Sequence, residues 1–293
     1  MAQTRINPWA AALAVLLVTA GVLLATREAA RSCTPAYTWS AVPMDGHRVA
    51  AQPVNTGNVD QALGVFDATG YTAPSGVRYP EDSPVPAVAQ ILLAAQPQMA
   101  PLKEVVGHSE AALLNLRTSP DLPLANLFVD ALRAYASRYF KVPMDFALTN
   151  FGGIRCPLPE GAITMEDIAS MFPFKNYLCW CRIKGSGLQK LLEQLAAMPS
   201  FQATSGATVR VKAHQLESAL IGGKPIDPER VYNVATIDFL LDGGDKLNVG
   251  ALSESVVLSP VLLRDVMLDY VRGCEARGEL VRGKADGRVI MED

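Results

Sequence analysis

Histidine is scarce in this sequence, which has three histidines among 293 residues, His47, His108 and His214. The sequence shows no Ser-His-Asp arrangement, no P-loop and no dinucleotide-binding glycine motif. The glycine pair in "LIGGKP" fits a hairpin turn better than a phosphate-binding loop. These absences exclude triad hydrolases, P-loop NTPases and dinucleotide-dependent dehydrogenases as classes for this chain.

An excess of positive charge is also lacking. The chain has 26 Lys and Arg against 29 Asp and Glu, which gives a formal net charge of −3. Proteins that bind nucleic acid usually carry a basic field, so we expect no nucleic-acid partner and only local anion sites. With 49% hydrophobic residues, the chain is able to bury a sizeable core.

Cysteine is sparse and odd in number, with five residues at 33, 156, 179, 181 and 274. An odd count leaves at least one thiol unpaired within an exported monomer. Cys179 and Cys181 lie two apart in "LCWCRI", and a strand would turn both to the same side. Because no histidine lies near enough to complete a metal site, we interpret this pair as small core residues.

Only the N-terminus contains a long apolar run. Arg5 precedes the run from Pro8 to Ala25, and small residues follow before Cys33. These features predict an export signal or membrane anchor over residues 1–33, and lipidation of Cys33 stays open because the preceding residues fit a lipobox poorly. We expect an exported protein, periplasmic or anchored in the cell envelope, that meets the membrane through this segment alone.

The remaining chain alternates helix and strand patterns. Residues 34–80 are rich in Pro, Gly and Asn and are predicted to be a linker or irregular segment, whereas residues 81–293 form the main domain. Helical spacing is strong in "LANLFVDALRAYASRYF", and "ITMEDIASMF" begins a helix with Thr164 as N-cap and Asp167 three residues later. Strands are predicted in "MDFALTN", "NYLCWCRIKG", "RVYNVATIDFL" and, with a turn at Gly222 and Gly223, "GATVRVKAHQLESALIGGKPI". The pattern predicts an α+β fold with mixed sheets.

Three loops carry residues suited to a nucleotide. "NFGGIR" ends in Arg155, "FPFKN" contains Phe174, and "DFLLDGGDKL" contains Phe239 and Asp245. A guanidinium suits phosphate, aromatic rings stack on bases, and a carboxylate accepts from ribose hydroxyls. Taken singly, the arginine also fits a surface role, the phenylalanine a core position and "DGGD" a plain turn.

The order of these motifs adds a family resemblance. From about Val105 onward, "LRTSPDLPLANLFVDALR", "NFGGIR", "PFKNYL", "IKGSGLQKLL", "VATIDFLLDGGD" and "GRVI" resemble the C-terminal domain of the 5′-nucleotidase and UDP-sugar hydrolase family. The resemblance implies a layered α/β/β/α domain that binds a nucleotide or nucleoside.

The resemblance also implies roles for six residues. Asn150 and Arg155 match the family's phosphate-side loop, and Phe174 and Phe239 match the two rings that sandwich the base. Asp245 matches the acid that holds the ribose hydroxyls. Arg117 corresponds to a further substrate arginine, although its spacing to Asn126 is longer by about one residue. Three positions depart from the family pattern: Phe151, Ala125 and Ile237. The bulky Phe151 is expected to narrow or reshape the pocket.

The family's metal ligands are the largest departure. The resemblance places hydrolysis in a separate metallophosphatase domain with two metals, whereas this chain lacks the Gly-Asn-His segment and the second histidine of Gly-His-x-His. We therefore expect no catalytic residues, metal ligands or cofactors in this chain. Two functions stay open: the nucleotide-binding half of a split 5′-nucleotidase, whose separately encoded metallophosphatase carries divalent metals, or a non-catalytic nucleotide- or nucleoside-binding protein at the cell surface.

Overall fold

The computed structural model describes residues 64–67, 70–115 and 119–292. The chain divides into two compact units, one of Met1–Ala68 with Thr72–Arg78 and one of Thr69–Tyr71 with Tyr79–Asp293. The predicted export segment 1–33, Cys33, His47 and Arg117 lie outside the described residues. Among the helices that are described, none combines the length and the apolar character needed to span a bilayer.

Fourteen strands and five α-helices occur in the described ranges. The strands are β1 (Val65–Asp67), β2 (Gly70–Thr72), β3 (Arg78–Tyr79), β4 (Val105–Ser109), β5 (Phe146–Thr149), β6 (Gly161–Thr164), β7 (Tyr177–Lys184), β8 (Ala203–Ser205), β9 (Ala207–Lys212), β10 (Gln215–Ile221), β11 (Lys224–Pro225), β12 (Val231–Ile237), β13 (Ser253–Leu262) and β14 (Val289–Glu292). The helices are α1 (Pro84–Met99), α2 (Pro123–Phe140), α3 (Met165–Met171), α4 (Gly185–Ala196) and α5 (Leu263–Ala276).

The larger unit is built around a five-stranded sheet with the order β13-β7-β12-β5-β8. Strand β5 runs parallel to β12, and the other neighbours are antiparallel. A four-stranded sheet, β11-β10-β9-β14, is likewise mixed, because only β14 runs parallel to its neighbour. The α+β fold with mixed sheets that the sequence predicts is therefore confirmed.

Helix packing places the core on the five-stranded sheet. Helix α2 packs against β5, β8 and β12, and α4 contacts both β7 and β12 of this sheet and β10 of the four-stranded sheet. Pro123 at the first turn of α2 has a fixed φ that suits helix initiation, and Lys141 in the left-handed conformation ends the helix. All four residues of β5 are buried, as expected for a strand covered on both faces.

The predicted cap of α3 is confirmed. The Asp167 backbone N–H donates to Thr164 Oγ1 at 3.3 Å, and the Thr164 backbone N–H donates to Asp167 Oδ2 at 2.7 Å. The reciprocal bonds satisfy two backbone donors at the helix start. This cap fixes where the chain turns from β6 into α3, the helix that precedes the "FPFKN" loop.

One prediction in the hairpin region needs correction, and one strand elsewhere was not predicted. The turn at Gly222 and Gly223 joins β10 to the short β11, whereas β9 and β10 are joined by a further tight turn at Ala213 and His214. Both residues of this further turn have positive φ without being glycine, so turn-residue chemistry gave no signal for them. Strand β13 was also missed, because Pro260 and three serines interrupt its strand pattern.

The paired cysteines of β7 belong to the core, as the sequence predicts. Cys179 and Cys181 are fully buried and free of disulfide bonds. Burial raises the pKa of the Cys179 thiol to about 12 and that of the Cys181 thiol to about 11. Because the thiolate is the reactive form, both side chains act as small apolar residues at neutral pH.

Candidate functional site

The loop that follows β5 is the first of the three candidate loops, and it contacts the third. Asn150 directly follows the strand and is buried, at 4% exposure. Its Nδ2 donates to Asp245 Oδ2 at 2.7 Å, across 95 positions of sequence. The "NFGGIR" and "DGGD" segments therefore meet through one buried amide.

Gly152 and Gly153 make room for that amide. Neither has a positive φ among the described glycines, so unusual backbone torsions do not explain them. A Cβ on Gly153 would lie 2.9 Å from Asn150 Oδ1, and one on Gly152 would lie 3.2 Å from Asn150 Nδ2. A side chain at Gly153 would force the Asn150 amide to shift, and one at Gly152 would crowd it, so both glycines leave space for the amide that bonds to Asp245.

Arg155 lies exposed at the end of the loop. Its Nη1 donates to the Gly152 carbonyl at 3.3 Å, and its guanidinium carbon lies 5.8 Å from the centre of the Phe174 ring. Within the described part of the chain, no carboxylate pairs with Arg155. A guanidinium has five N–H donors, so most of them are available to an anion.

The two phenylalanine rings of the "FPFKN" segment differ in burial. Phe172 is buried at 2% exposure and packs on Phe128 with ring centres 4.3 Å apart. Phe174 is 50% exposed and lies under the Arg155 guanidinium. Phe174 is thus a surface ring next to a cation.

Phe239 is the second exposed ring, at 44%. A Cβ on Gly244 would lie 2.0 Å from the Phe239 carbonyl oxygen and 2.8 Å from its ring atom Cδ1. Only glycine allows this close approach, which keeps Phe239 next to the turn that carries Asp245. Asp238 Oδ1 accepts from the backbone N–H groups of Tyr177 and Phe239, each at 2.9 Å, and fixes the start of this loop.

Asp245 lies on a strained turn. Asp245 and the following Lys246 both have left-handed backbones, with φ of 49° and 63°. Non-glycine residues adopt this conformation at a cost, and aspartate tolerates it better than most. The turn holds the half-buried Asp245 carboxylate against Asn150, and no described residue donates to its Oδ1 atom.

A cleft of about 700 Å³ opens beside this turn, and we refer to it as the side cleft. Phe151, which replaces a glycine of the family loop, is buried at 6% and forms part of the cleft wall. Its backbone N–H donates to Gln202 Oε1 at 2.8 Å. The complete lining is Phe151, Gly152, Gln194, Ala197, Met198, Pro199, Ser200, Gln202, Asp245, Lys246 and Leu247.

Comparison with known proteins identifies the family. A family model described as "5'-nucleotidase, C-terminal domain" matches residues 105–252, which is half of the chain. The chain belongs to this family. Protein UshA of Yersinia enterocolitica is 32% identical over 117 residues, covering 38% of this chain and 21% of that protein. Endonuclease YhcR of Bacillus subtilis is 28% identical over 201 residues, covering 66% of this chain and 16% of that protein.

Solved structures agree with this fold assignment. A 5′-nucleotidase precursor from Thermus thermophilus superposes with a TM-score of 0.61 at 22% identity, over 78% of this chain and 49% of that one. The NAD nucleotidase of Haemophilus influenzae gives a TM-score of 0.55 at 18% identity, over 70% of this chain and 41% of that one. At these identities the likeness shows the fold alone. The chain spans half or less of the length of each of these four proteins.

Five of the six residues predicted for a 5′-nucleotidase C-terminal domain site lie in the described ranges, and their contacts form two groups. Asn150 bonds to Asp245, Arg155 lies over Phe174, and Phe239 lies against the turn of Asp245. Arg117 lies outside the described residues, and the ligand roles of all six residues stay predictions. Sequence reasoning missed Gln202 and Lys246, although a lone glutamine in "PSFQATSG" and a cation directly after "DGGD" were available as signals.

The described residues do not fit a metal centre. No group of three or more His, Cys, Asp or Glu side chains in residues 64–67, 70–115 and 119–292 is arranged to hold a metal ion. His108 Nδ1 instead lies 3.0 Å from Glu275 Oε2 on the surface, and His214 Nδ1 lies 3.3 Å from the Met198 carbonyl.

Proposed function

We propose that this chain is the nucleotide-binding half of a split 5′-nucleotidase that acts in nucleotide catabolism. In this function, a separately encoded metallophosphatase supplies the divalent metals, and the two chains together hydrolyse a phosphate ester. The observation that carries the proposal is the exposed Arg155, which has no carboxylate partner among the described residues and stands over the exposed ring of Phe174. An unpaired guanidinium beside an open ring suits a ligand that combines an anion with an aromatic base.

Each exposed group has a distinct task in this proposal. Arg155 binds the 5′-phosphate through charge-assisted hydrogen bonds, and Phe174 and Phe239 stack on the base. Asp245 accepts from the ribose hydroxyls. Asn150 is predicted from the resemblance to lie by the phosphate, and in this proposal its buried amide also positions the Asp245 carboxylate, to which it is bonded. Arg117 is proposed as a second phosphate ligand on the resemblance alone.

The proposal places the chain in the cell envelope. Its support is the basic and apolar pattern of residues 1–33, which lie outside the described residues. A cell wall protein of Listeria monocytogenes is 25% identical over 216 residues, covering 65% of this chain and 27% of that protein. A partner metallophosphatase would have to be exported to the same compartment.

Reconstitution tests the split enzyme directly. An envelope extract from cells that lack this chain is assayed for Mn²⁺-dependent phosphate release from AMP, with and without added purified chain. We expect the wild-type chain to raise the rate and Arg155→Ala to fail, because the phosphate then loses its guanidinium. Arg210→Ala, an exposed arginine on β9, is the matched control and should restore the rate like wild type. No stimulation by a wild-type chain that binds AMP would instead favour the non-catalytic binding protein.

A further inference from the structure

The side cleft adjoins the candidate nucleotide site without being part of its base pocket. Gly152 and Asp245 line it, whereas Arg155, Phe174 and Phe239 do not. Asp245 therefore belongs both to the lining of the side cleft and to the turn that lies against Phe239. In the proposed binding mode, its carboxylate meets the ribose hydroxyls, so a substituent on the ribose 2′ or 3′ oxygen would extend into the side cleft.

Lys246 gives the side cleft a cation. Asp245 and Lys246 are the two charged residues of its lining, and no described carboxylate pairs with the Lys246 ammonium. The φ of 63° at Lys246 is unfavourable for a lysine backbone. Such conformations cluster at ligand sites, where the surrounding structure holds them in place. The turn thus presents a carboxylate and a free ammonium side by side.

The rest of the lining is neutral and partly polar. Gln194, Ser200 and Gln202 contribute amide and hydroxyl groups, and Gln202 is fixed because its Oε1 accepts from the Phe151 backbone. A phosphoryl group needs donors of this kind around one cation. A phosphoryl group on one ribose oxygen removes that hydroxyl as a donor to Asp245 and brings a second anion near its carboxylate, so the net gain in affinity is expected to be moderate.

We propose that the side cleft binds a phosphoryl group carried on the ribose 2′ or 3′ oxygen, with Lys246 as its charged ligand. This inference rests on the proposed nucleotide site and names its substrate class, which is nucleotides phosphorylated on both sides of the ribose. The volume of about 700 Å³ exceeds what one phosphate requires and lies within the usual range for small-molecule pockets, about 300–1,000 Å³. The side cleft therefore also has room for a second nucleotide linked through a phosphodiester, which would present a phosphoryl group to Lys246 in the same way.

The test compares ligands that differ only on the 3′ side. The full chain, purified in mild detergent, is titrated calorimetrically with AMP, adenosine 3′,5′-bisphosphate and the 5′-phosphorylated dinucleotide pApA. We expect the bisphosphate to bind about 10-fold more tightly than AMP at 50 mM salt, which corresponds to ~1.4 kcal/mol. The preference should shrink at 500 mM salt because the charge is screened.

Two variants assign the effect to Lys246. Lys246→Asn removes the ammonium while asparagine tolerates the left-handed backbone, so folding is preserved. It should abolish the preference for the bisphosphate over AMP, each affinity being measured on the same variant. Lys224→Asn, an exposed lysine on β11 outside the side cleft, should keep the preference.

Each outcome has one reading. If AMP binds but the bisphosphate binds no better, or if the preference survives Lys246→Asn, the subsite is wrong and the nucleotide site stands. If neither AMP nor the bisphosphate binds, the proposed function fails together with this inference. Tighter binding of pApA that also depends on Lys246 supports a phosphodiester occupant, and a preference confined to the bisphosphate supports a terminal phosphoryl group.

Discussion

Replacing Phe239 with Ala separates a ligand-binding ring from a structural one. The ring is 44% exposed and lies next to the Asp245 turn. Stacking of a base on an aromatic side chain contributes about 1–3 kcal/mol, so the loss of this ring should weaken nucleotide binding about 5-fold to 150-fold. Because nearly half of the ring is already in water, its removal should destabilise the fold by less than the about 3–5 kcal/mol typical of buried rings.

The assay measures binding and melting on the same sample. AMP titration gives the dissociation constant, and a thermal melt gives the change in stability, where 1 kcal/mol corresponds to about 2–4 °C for a domain of this size. Phe172→Ala is the matched control, because it removes a phenylalanine ring that is buried against Phe128 and is not predicted to bind the base. It should lower the melting temperature sharply without a selective loss of affinity. A large melting loss for Phe239→Ala with unchanged affinity in the folded fraction would falsify the stacking role.

Four further predictions concern other parts of the chain. Asp245→Asn should weaken binding of AMP but not of its 2′,3′-dideoxy analogue, because only the former offers ribose hydroxyls; equal effects on both in titrations would contradict the ribose role. Thr164→Ala should lower the free energy of unfolding by about 1 kcal/mol in a denaturant titration, since it removes the α3 cap, and an unchanged midpoint would show that the cap contributes nothing. The purified chain should release no phosphate from AMP with added Mn²⁺, Zn²⁺ or Co²⁺; robust turnover in a phosphate assay would refute the split enzyme. A reporter fused to residues 1–40 should cross the inner membrane, and its retention in the cytoplasm would refute export.

Local sequence signals predicted most of the fold. The α2 helix and the α3 cap were readable because apolar spacing and capping chemistry act within a few residues. The existence of β13 depends on its pairing with β7, whose paired residues lie 70 or more positions earlier, which no local pattern records. The turn at Ala213 and His214 was hidden because neither residue is a usual turn former.

In the candidate site, too, local features were predictable from the sequence and long-range contacts were not. The loops were predictable from their composition and order, but the contact between Asn150 and Asp245 depends on tertiary packing. The sequence "FPF" contains two identical rings, and only the packing of Phe172 on Phe128 reveals which ring is buried. The side cleft lies among Phe151, the end of α4 and the Asp245 turn, so it depends on three segments distant in sequence.

A calorimetric comparison of AMP with adenosine tests the central claim most directly. The full chain is titrated with both ligands, and the difference between them isolates the 5′-phosphate that Arg155 is proposed to bind. We predict that AMP binds at least about 10-fold more tightly than adenosine, or ~1.4 kcal/mol, as expected for one charge-assisted contact. The Arg155→Ala variant should bring the two affinities together. Equal affinities in the wild-type chain, or no binding of either ligand, would contradict a nucleotide-binding site built on Arg155.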